Sequence, residues 1–148
     1  MNVHITDAGA GCTNEALLSL CRESLLLEAT TITRYADNIG SEFLAALQLI
    51  HEAKDPVIVA GIGKSGHIAR KIASTFRSLG RSAVFLHAAE ASHGDLGLIG
   101  SDSVAIVISN SGETAELFDL IHYCDRHHVP IIAIVSDAQS TLGRRARV

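Results

Sequence analysis

From Thr13 onward, Leu17, Leu18, Cys21, Leu25 and Ile32 recur at the spacing of one helix face. The repeat predicts a long first helix, and the aperiodic, Gly/Ala-rich residues 1–12 before it read as a flexible tail. Gly40 interrupts the repeat. Ser41 and Glu42 then have the form of an N-cap and first turn, which predicts a second helix through about Ala53. After Asp55-Pro56 the texture changes to short apolar runs at Val57–Ala60, Ala83–Leu86, Val104–Ile108 and Ile131–Val135. These read as strands. The stretches Lys64–Leu79 and Glu113–His127 are long enough for crossover helices, and Ser140–Arg147 starts another. Alternating strands and helices predict an α/β fold, a three-layer doubly wound parallel sheet with two helices ahead of the first strand. No further strand is visible after the last helical stretch.

Composition narrows the class without naming a chemistry. A chain of 148 residues is the size of one domain, and 47% hydrophobic content with few aromatics suits buried aliphatic strands. The formal charge of −4 supplies no diffuse attraction to nucleic acid or anionic lipid, so a phosphate site must be built locally. Arg144, Arg145 and Arg147 form the one basic cluster and read as a solvated helix face. Three widely spaced cysteines, Cys12, Cys21 and Cys124, argue against a disulfide framework or a thiolate zinc site, and fit a reducing compartment. With no signal peptide or membrane-length apolar run in view, a cytoplasmic protein is expected.

In an open parallel sheet, ligands gather at the carboxyl ends of the strands, which directs attention to the loops there. After the first strand, Gly61-Ile62-Gly63-Lys64-Ser65-Gly66-His67 opens directly into a helix with little side-chain bulk, so backbone N–H groups and the helix N-terminus can face an anion. Its glycine spacing matches the dinucleotide pattern, but Leu86-His87 occupies the place of the ribose-binding acid. A Walker A loop needs a glycine where Ile58 stands. Glycines serving packing alone would leave Lys64 and Ser65 unexplained. After the third strand, Ser109-Asn110-Ser111-Gly112-Glu113-Thr114 again leads into a predicted helix. Its hydroxyls, amide and free N–H groups suit a phosphate monoester better than a pyrophosphate cofactor; helix capping would require only one hydroxyl.

These segments, together with Ala88-Ala89-Glu90-Ala91-Ser92-His93-Gly94-Asp95-Leu96-Gly97, resemble three motifs of the sugar isomerase (SIS) domains, in their D-arabinose 5-phosphate isomerase branch. The similarity runs from about Glu15 to Val148. The Ser-x-Ser-Gly-x-Thr element is general to SIS domains, whereas His-Gly-Asp-Leu-Gly is particular to this branch. The resemblance implies a flavodoxin-like SIS fold over residues 13–148, with Ser65, Gly66, Ser109, Asn110, Ser111 and Thr114 around the substrate phosphate. It also implies that Lys64 and Glu116 belong to the catalytic environment and that His93 lies near the sugar. From the residues alone, Lys64 could equally neutralise phosphate charge, Glu116 could favour a helix N-terminus, and His93 is an ordinary surface histidine. His122, Cys124, His127 and His128 lack a sensible zinc geometry and read as structural; no metal site is expected.

The implied reaction interconverts D-ribulose 5-phosphate and D-arabinose 5-phosphate, a step towards bacterial 3-deoxy-octulosonate and lipopolysaccharide. It needs a general base, a general acid and stabilisation of an enediol-like oxyanion, with no cofactor. By the same resemblance the domain is expected to lack a C-terminal strand and helix, a further Glu and His from that region or from a neighbouring subunit, and a paired CBS module. The reading from a different class is a non-catalytic SIS sensor of sugar phosphates. The apolar face of the first helix predicts a homo-oligomer, at least a dimer.

Overall fold

The computed structural model describes residues 13–148; the expected tail over residues 1–12 lies outside them. The described residues divide into two units, one ending at Gly40 and one spanning Ser41–Val148.

In the first unit, α1 spans Asn14–Asp37. The Thr13 side chain accepts the Ala16 N–H at 3.2 Å, which satisfies one of the donors orphaned at a helix start. At the other end, Asn38 donates from its backbone to Tyr35 and from its side chain to Arg34. No residue of α1 is buried, and its large apolar side chains stand in solvent, Leu25 at 66% and Ile32 at 70%.

The second unit opens with α2, Ser41–Glu52, of which Ser41 is the first helical residue rather than the cap. The order then runs β1 (Val57–Gly61), α3 (Gly63–Ser78), β2 (Ala83–His87), α4 (Ala88–Ala91), a 3₁₀ turn at Asp95–Leu98, β3 (Val104–Ile108), a 3₁₀ turn at Ala115–Leu117, α5 (Phe118–His127), β4 (Ile131–Ile134) and α6 (Thr141–Arg145). Four parallel strands lie in the order β2-β1-β3-β4. They have the expected architecture. Because side chains alternate across a strand, Val57 and Val59 of β1 face Ala69 and Ala73 of α3 and the apolar side of α2, while Ile58 and Ala60 face α4, α5 and α6. Both faces are covered, which is why β1 and β3 are buried along their whole length and read as unbroken apolar runs. Fully burying one such side chain stabilises the fold by roughly 1.5–3 kcal/mol.

Two further details depart from the expected elements. Residues Glu113–Leu117 are not α-helical; α5 begins only at Phe118. Beyond α6, Arg147 and Val148 return to the outer edge of β4, where the Arg147 N–H donates to the Ile131 carbonyl at 2.8 Å and the Ala133 N–H to that of Val148 at 2.9 Å. Two residues are too few for an apolar run to announce this pairing. The basic cluster lies on α6 and just past it, with Arg145 paired to Asp125 of α5 at 2.6 Å. Such a partly exposed pair contributes little to stability.

Candidate functional site

The strand order reverses between β1 and β3, since β1 leads to a neighbour on one side and β3 lies on the other. At such a reversal the loops leave the sheet in opposite directions and open a crevice. On the β1 side the turn is forced by contact distances. A Cβ on Gly66 would sit 2.7 Å from the Gly61 carbonyl oxygen, and one on Gly61 would sit 2.9 Å from the Ser65 backbone, so α3 crosses β1 without room for a side chain on either residue. Gly63 has φ +57°, the left-handed region that glycine enters at no steric cost. Ile62 stands at the N-cap of α3 and supplies no side-chain hydrogen bond, and the first turn holds no acidic residue. The positive end of α3 is thus left to an external acceptor.

On the β3 side the loop is held from within. Ser109 is buried, and its hydroxyl accepts the Gly112 N–H at 3.1 Å while lying 2.8 Å from the Thr114 hydroxyl. The exposed Ser111 accepts the Glu113 N–H at 3.2 Å, which leaves its own O–H proton unassigned. Gly112, at φ +68°, lets the chain reverse. The loop is also fastened to the segment after β4. Ser136 donates to the Asn110 carbonyl from its N–H at 3.1 Å and from its hydroxyl at 2.5 Å, and the Leu142 N–H donates to Gly112 at 3.1 Å. Glu113 turns away from the crevice and accepts the Thr141 N–H at 2.6 Å. The hydrogen bonds from Thr141, with the nearby Arg144 charge adding, hold its carboxyl below the usual range. Glu113 lies ahead of the helical residues, and Glu116 stands on the 3₁₀ turn that precedes α5.

Lys64, Ser65, Ser109, Asn110, Ser111 and Thr114 line one cleft of about 350 Å³, floored by Ile62 and Ile108. Gly66, His93 and Glu116 lie outside its lining. The Gly66 N–H donates to the Ile62 carbonyl at 3.3 Å, so this residue shapes the turn. Glu116 is exposed on the 3₁₀ turn at Ala115–Leu117. His93 follows α4, with its ring Nδ1 3.1 Å from the Ala89 carbonyl. A carbonyl only accepts, so Nδ1 is the donor in this contact. Ser136 and Thr141 carry no local sequence signal, because their partners lie 26 and 28 residues away.

A second cleft, about 370 Å³, lies between Ser92, Leu96 and the face of α5 carrying Asp119, His122, Tyr123 and Arg126. Cys124 is fully buried behind that face, and burial pushes its thiol up to about 12. Among the described residues no group of three His, Cys, Asp or Glu side chains is placed to hold a metal ion.

Hydroxyl donors and an uncapped helix N-terminus thus meet at the switch point of a parallel α/β domain. A model of the SIS domain matches residues 49–148, and the chain belongs to that family. It is 42% identical over 134 residues to the arabinose 5-phosphate isomerase GutQ of Salmonella typhi, covering 90% of this chain and 42% of that protein. With the arabinose 5-phosphate isomerase KdsD of Escherichia coli K12 the identity is 42% over 127 residues, 86% of this chain and 39% of that one. The chain therefore spans about two fifths of the length of these curated relatives. Among solved structures, an Escherichia coli CFT073 protein in complex with arabinose 5-phosphate superposes with a TM-score of 0.85 at 34% identity, over 92% of this chain and 72% of that one. A sugar-phosphate isomerase-like protein of Listeria monocytogenes gives a TM-score of 0.87 at 29% identity, over 93% and 73% of the respective chains. No helix among the described residues is long and apolar enough to cross a membrane.

Proposed function

We propose that this chain is the sugar-phosphate-binding domain of an aldose–ketose isomerase acting on D-ribulose 5-phosphate and D-arabinose 5-phosphate. The observation that carries the reading is the meeting of Lys64 and Ser65, after β1, with Ser109, Ser111 and Thr114, after β3, in one cleft at the switch point. The relatives named arabinose 5-phosphate isomerase support the choice of sugar.

In this reading the phosphate sits against the N-terminal amides of α3 and accepts from Ser65 and Ser111, with Asn110 beside it. Ser109 and Thr114 act in series. The buried Ser109 donates to Thr114, whose own proton then turns to the phosphate, and each bond polarises the next. Lys64 neutralises phosphate charge and stabilises the oxyanion that develops as the ketose C2 carbonyl becomes an enediol. The isomerisation removes a proton from C1, moves the hydroxyl proton from O1 to O2 and returns a proton to C2, so no net charge or electron is consumed. Glu116 is assigned the carbon-to-carbon transfer, and His93, through Nε2, a hydroxyl proton of the sugar.

The test measures turnover of D-ribulose 5-phosphate and titrates arabinose 5-phosphate. Ser111→Ala removes a donor to a charged group, which costs about 1.5–3 kcal/mol. Affinity should then fall tenfold or more. Glu116→Gln should keep binding and lose turnover. Tight binding with no turnover in the unaltered chain would favour a sensor over an isomerase, and unchanged affinity in Ser111→Ala would remove the serine loop from the site.

A further inference from the structure

Glu113 occupies the second variable position of the Ser-x-Ser-Gly-x-Thr element, between two hydroxyls that line the cleft, yet its carboxylate points elsewhere. Four hydrogen bonds fasten this loop to the segment after β4: two from Ser136 to the Asn110 carbonyl, one from the Leu142 N–H to Gly112 and one from the Thr141 N–H to Oε1 of the Glu113 side chain. The last differs from the others in being made by a side chain of the loop itself. At 2.6 Å it is also the one that ends on a charged acceptor.

The contact reaches the cleft by two short routes. The Glu113 N–H is held by the Ser111 hydroxyl at 3.2 Å, and Thr114 follows it directly in the chain, with its hydroxyl 2.8 Å from Ser109. Displacing Glu113 therefore shifts both Ser111 and Thr114. The anchor at the far end is firm. Ser140 caps α6 through the Gly143 N–H, and Leu142 is fully buried in the core. An exposed acid that served only to cap α6 would have no reason to sit inside the serine loop.

We infer that Glu113 is a positioning residue, holding Ser111 and Thr114 in register with α3 by tying the serine loop to the Thr141 N–H. The inference rests on the sugar-phosphate reading of the cleft and adds to it a residue that touches no substrate.

Isothermal titration with arabinose 5-phosphate tests it in six forms of the chain, Ser111→Ala among them. Glu113→Ala should weaken binding about tenfold. Glu113→Gln keeps an amide oxygen in place to accept the Thr141 N–H and should stay within about twofold of the unaltered chain. Thr141→Pro removes the donor from the other side. Pro is well accepted at the first position of a helix, and Ser140 before it already has ψ 166°, the extended conformation a following proline requires. It should match Glu113→Ala, and the Glu113→Ala/Thr141→Pro pair should be no weaker than either alone, because both break one bond. If Ser111→Ala loses affinity while Glu113→Ala does not, the inference fails and the site stands. Gln binding as poorly as Ala would also overturn it, since charge rather than the hydrogen bond would then matter. If Ser111→Ala binds normally, the reading of the cleft fails and this inference with it. Where turnover is measurable, KM should rise in Glu113→Ala with kcat unchanged.

Discussion

At the scale of single residues, the molecule separates groups that shape the site from groups that face a ligand. Gly61 and Gly66 shape it by their lack of a Cβ, and Ser109 shapes it with a buried hydroxyl that holds Gly112. Cys124 belongs to neither set. It packs at the centre of α5 against the sheet, and its thiol lies far above the ordinary 9.0 because burial penalises the thiolate, with the Asp125 charge adding to this. The sign of the effect on stability follows from the direction of the shift. A folded-state value raised above the unfolded one contributes stability in full below about pH 9, and that contribution is lost as pH rises from 9 towards 12. Urea midpoints should therefore fall with rising pH across that window, and fall less steeply in Cys124→Ala, which has no thiol to ionise. The Ala variant will be less stable at neutral pH because it leaves a cavity. Identical slopes in the two proteins would show that the thiol ionises freely in the fold. A thiol reagent should modify the exposed Cys21 well before Cys124.

Secondary-structure elements differ in how plainly the sequence announces them. The four strands are legible because burial on both faces demands unbroken runs of Val, Ile and Ala, and glycines mark where β1 turns into α3. The start of α5 is not. Serine, glycine and threonine ahead of Glu116 have the composition of a helix cap, but Glu113 is drawn to Thr141, 28 residues on, and no local pattern carries that contact. Of the candidate site, the six polar residues that line the cleft stand in two short segments, which the sequence alone suffices to group. The fastening by Ser136, Thr141 and Leu142 appears only once β4 lies beside β3. The short α4 after β2 escapes the pattern because four residues complete one helical turn. For α1 the sequence predicts an apolar face, and the structure leaves Leu18, Leu25 and Ile32 exposed. An amphipathic helix can bury that face against the same face of a second copy, which makes a self-complementary contact about a two-fold axis. Sedimentation at tens of micromolar should show at least a dimer, and Leu25→Glu with Ile32→Glu should shift it to monomer. An unaltered chain that sediments as a monomer would refute the pairing.

Across the whole molecule, the cleft is the product of topology more than of either loop. Neither Lys64 with Ser65 nor the Ser109–Thr114 loop encloses an anion alone; β1 and β3 must pair, in parallel, for their carboxyl ends to open side by side. A phosphate bound there bridges two segments whose strands are neighbours in the sheet but lie 47 residues apart in the chain, counting from Val57 to its partner Val104. The unfolded chain cannot offer both loops at once, so a bound sugar phosphate should stabilise the folded state by mass action. At a hundredfold excess over Kd the gain is about 2.7 kcal/mol, which raises Tm by roughly 5–15 °C for a domain of this size. Since the chain is formally −4, a general attraction of anions cannot account for such a shift. Thermal melts with arabinose 5-phosphate should therefore show the rise, and melts with arabinose at the same concentration should not. Ser65→Ala and Ser111→Ala, one from each loop, should each reduce it. A shift that survives loss of one serine and disappears with the other would place the phosphate on a single loop, and equal shifts from the free sugar would place the binding energy outside the phosphate altogether.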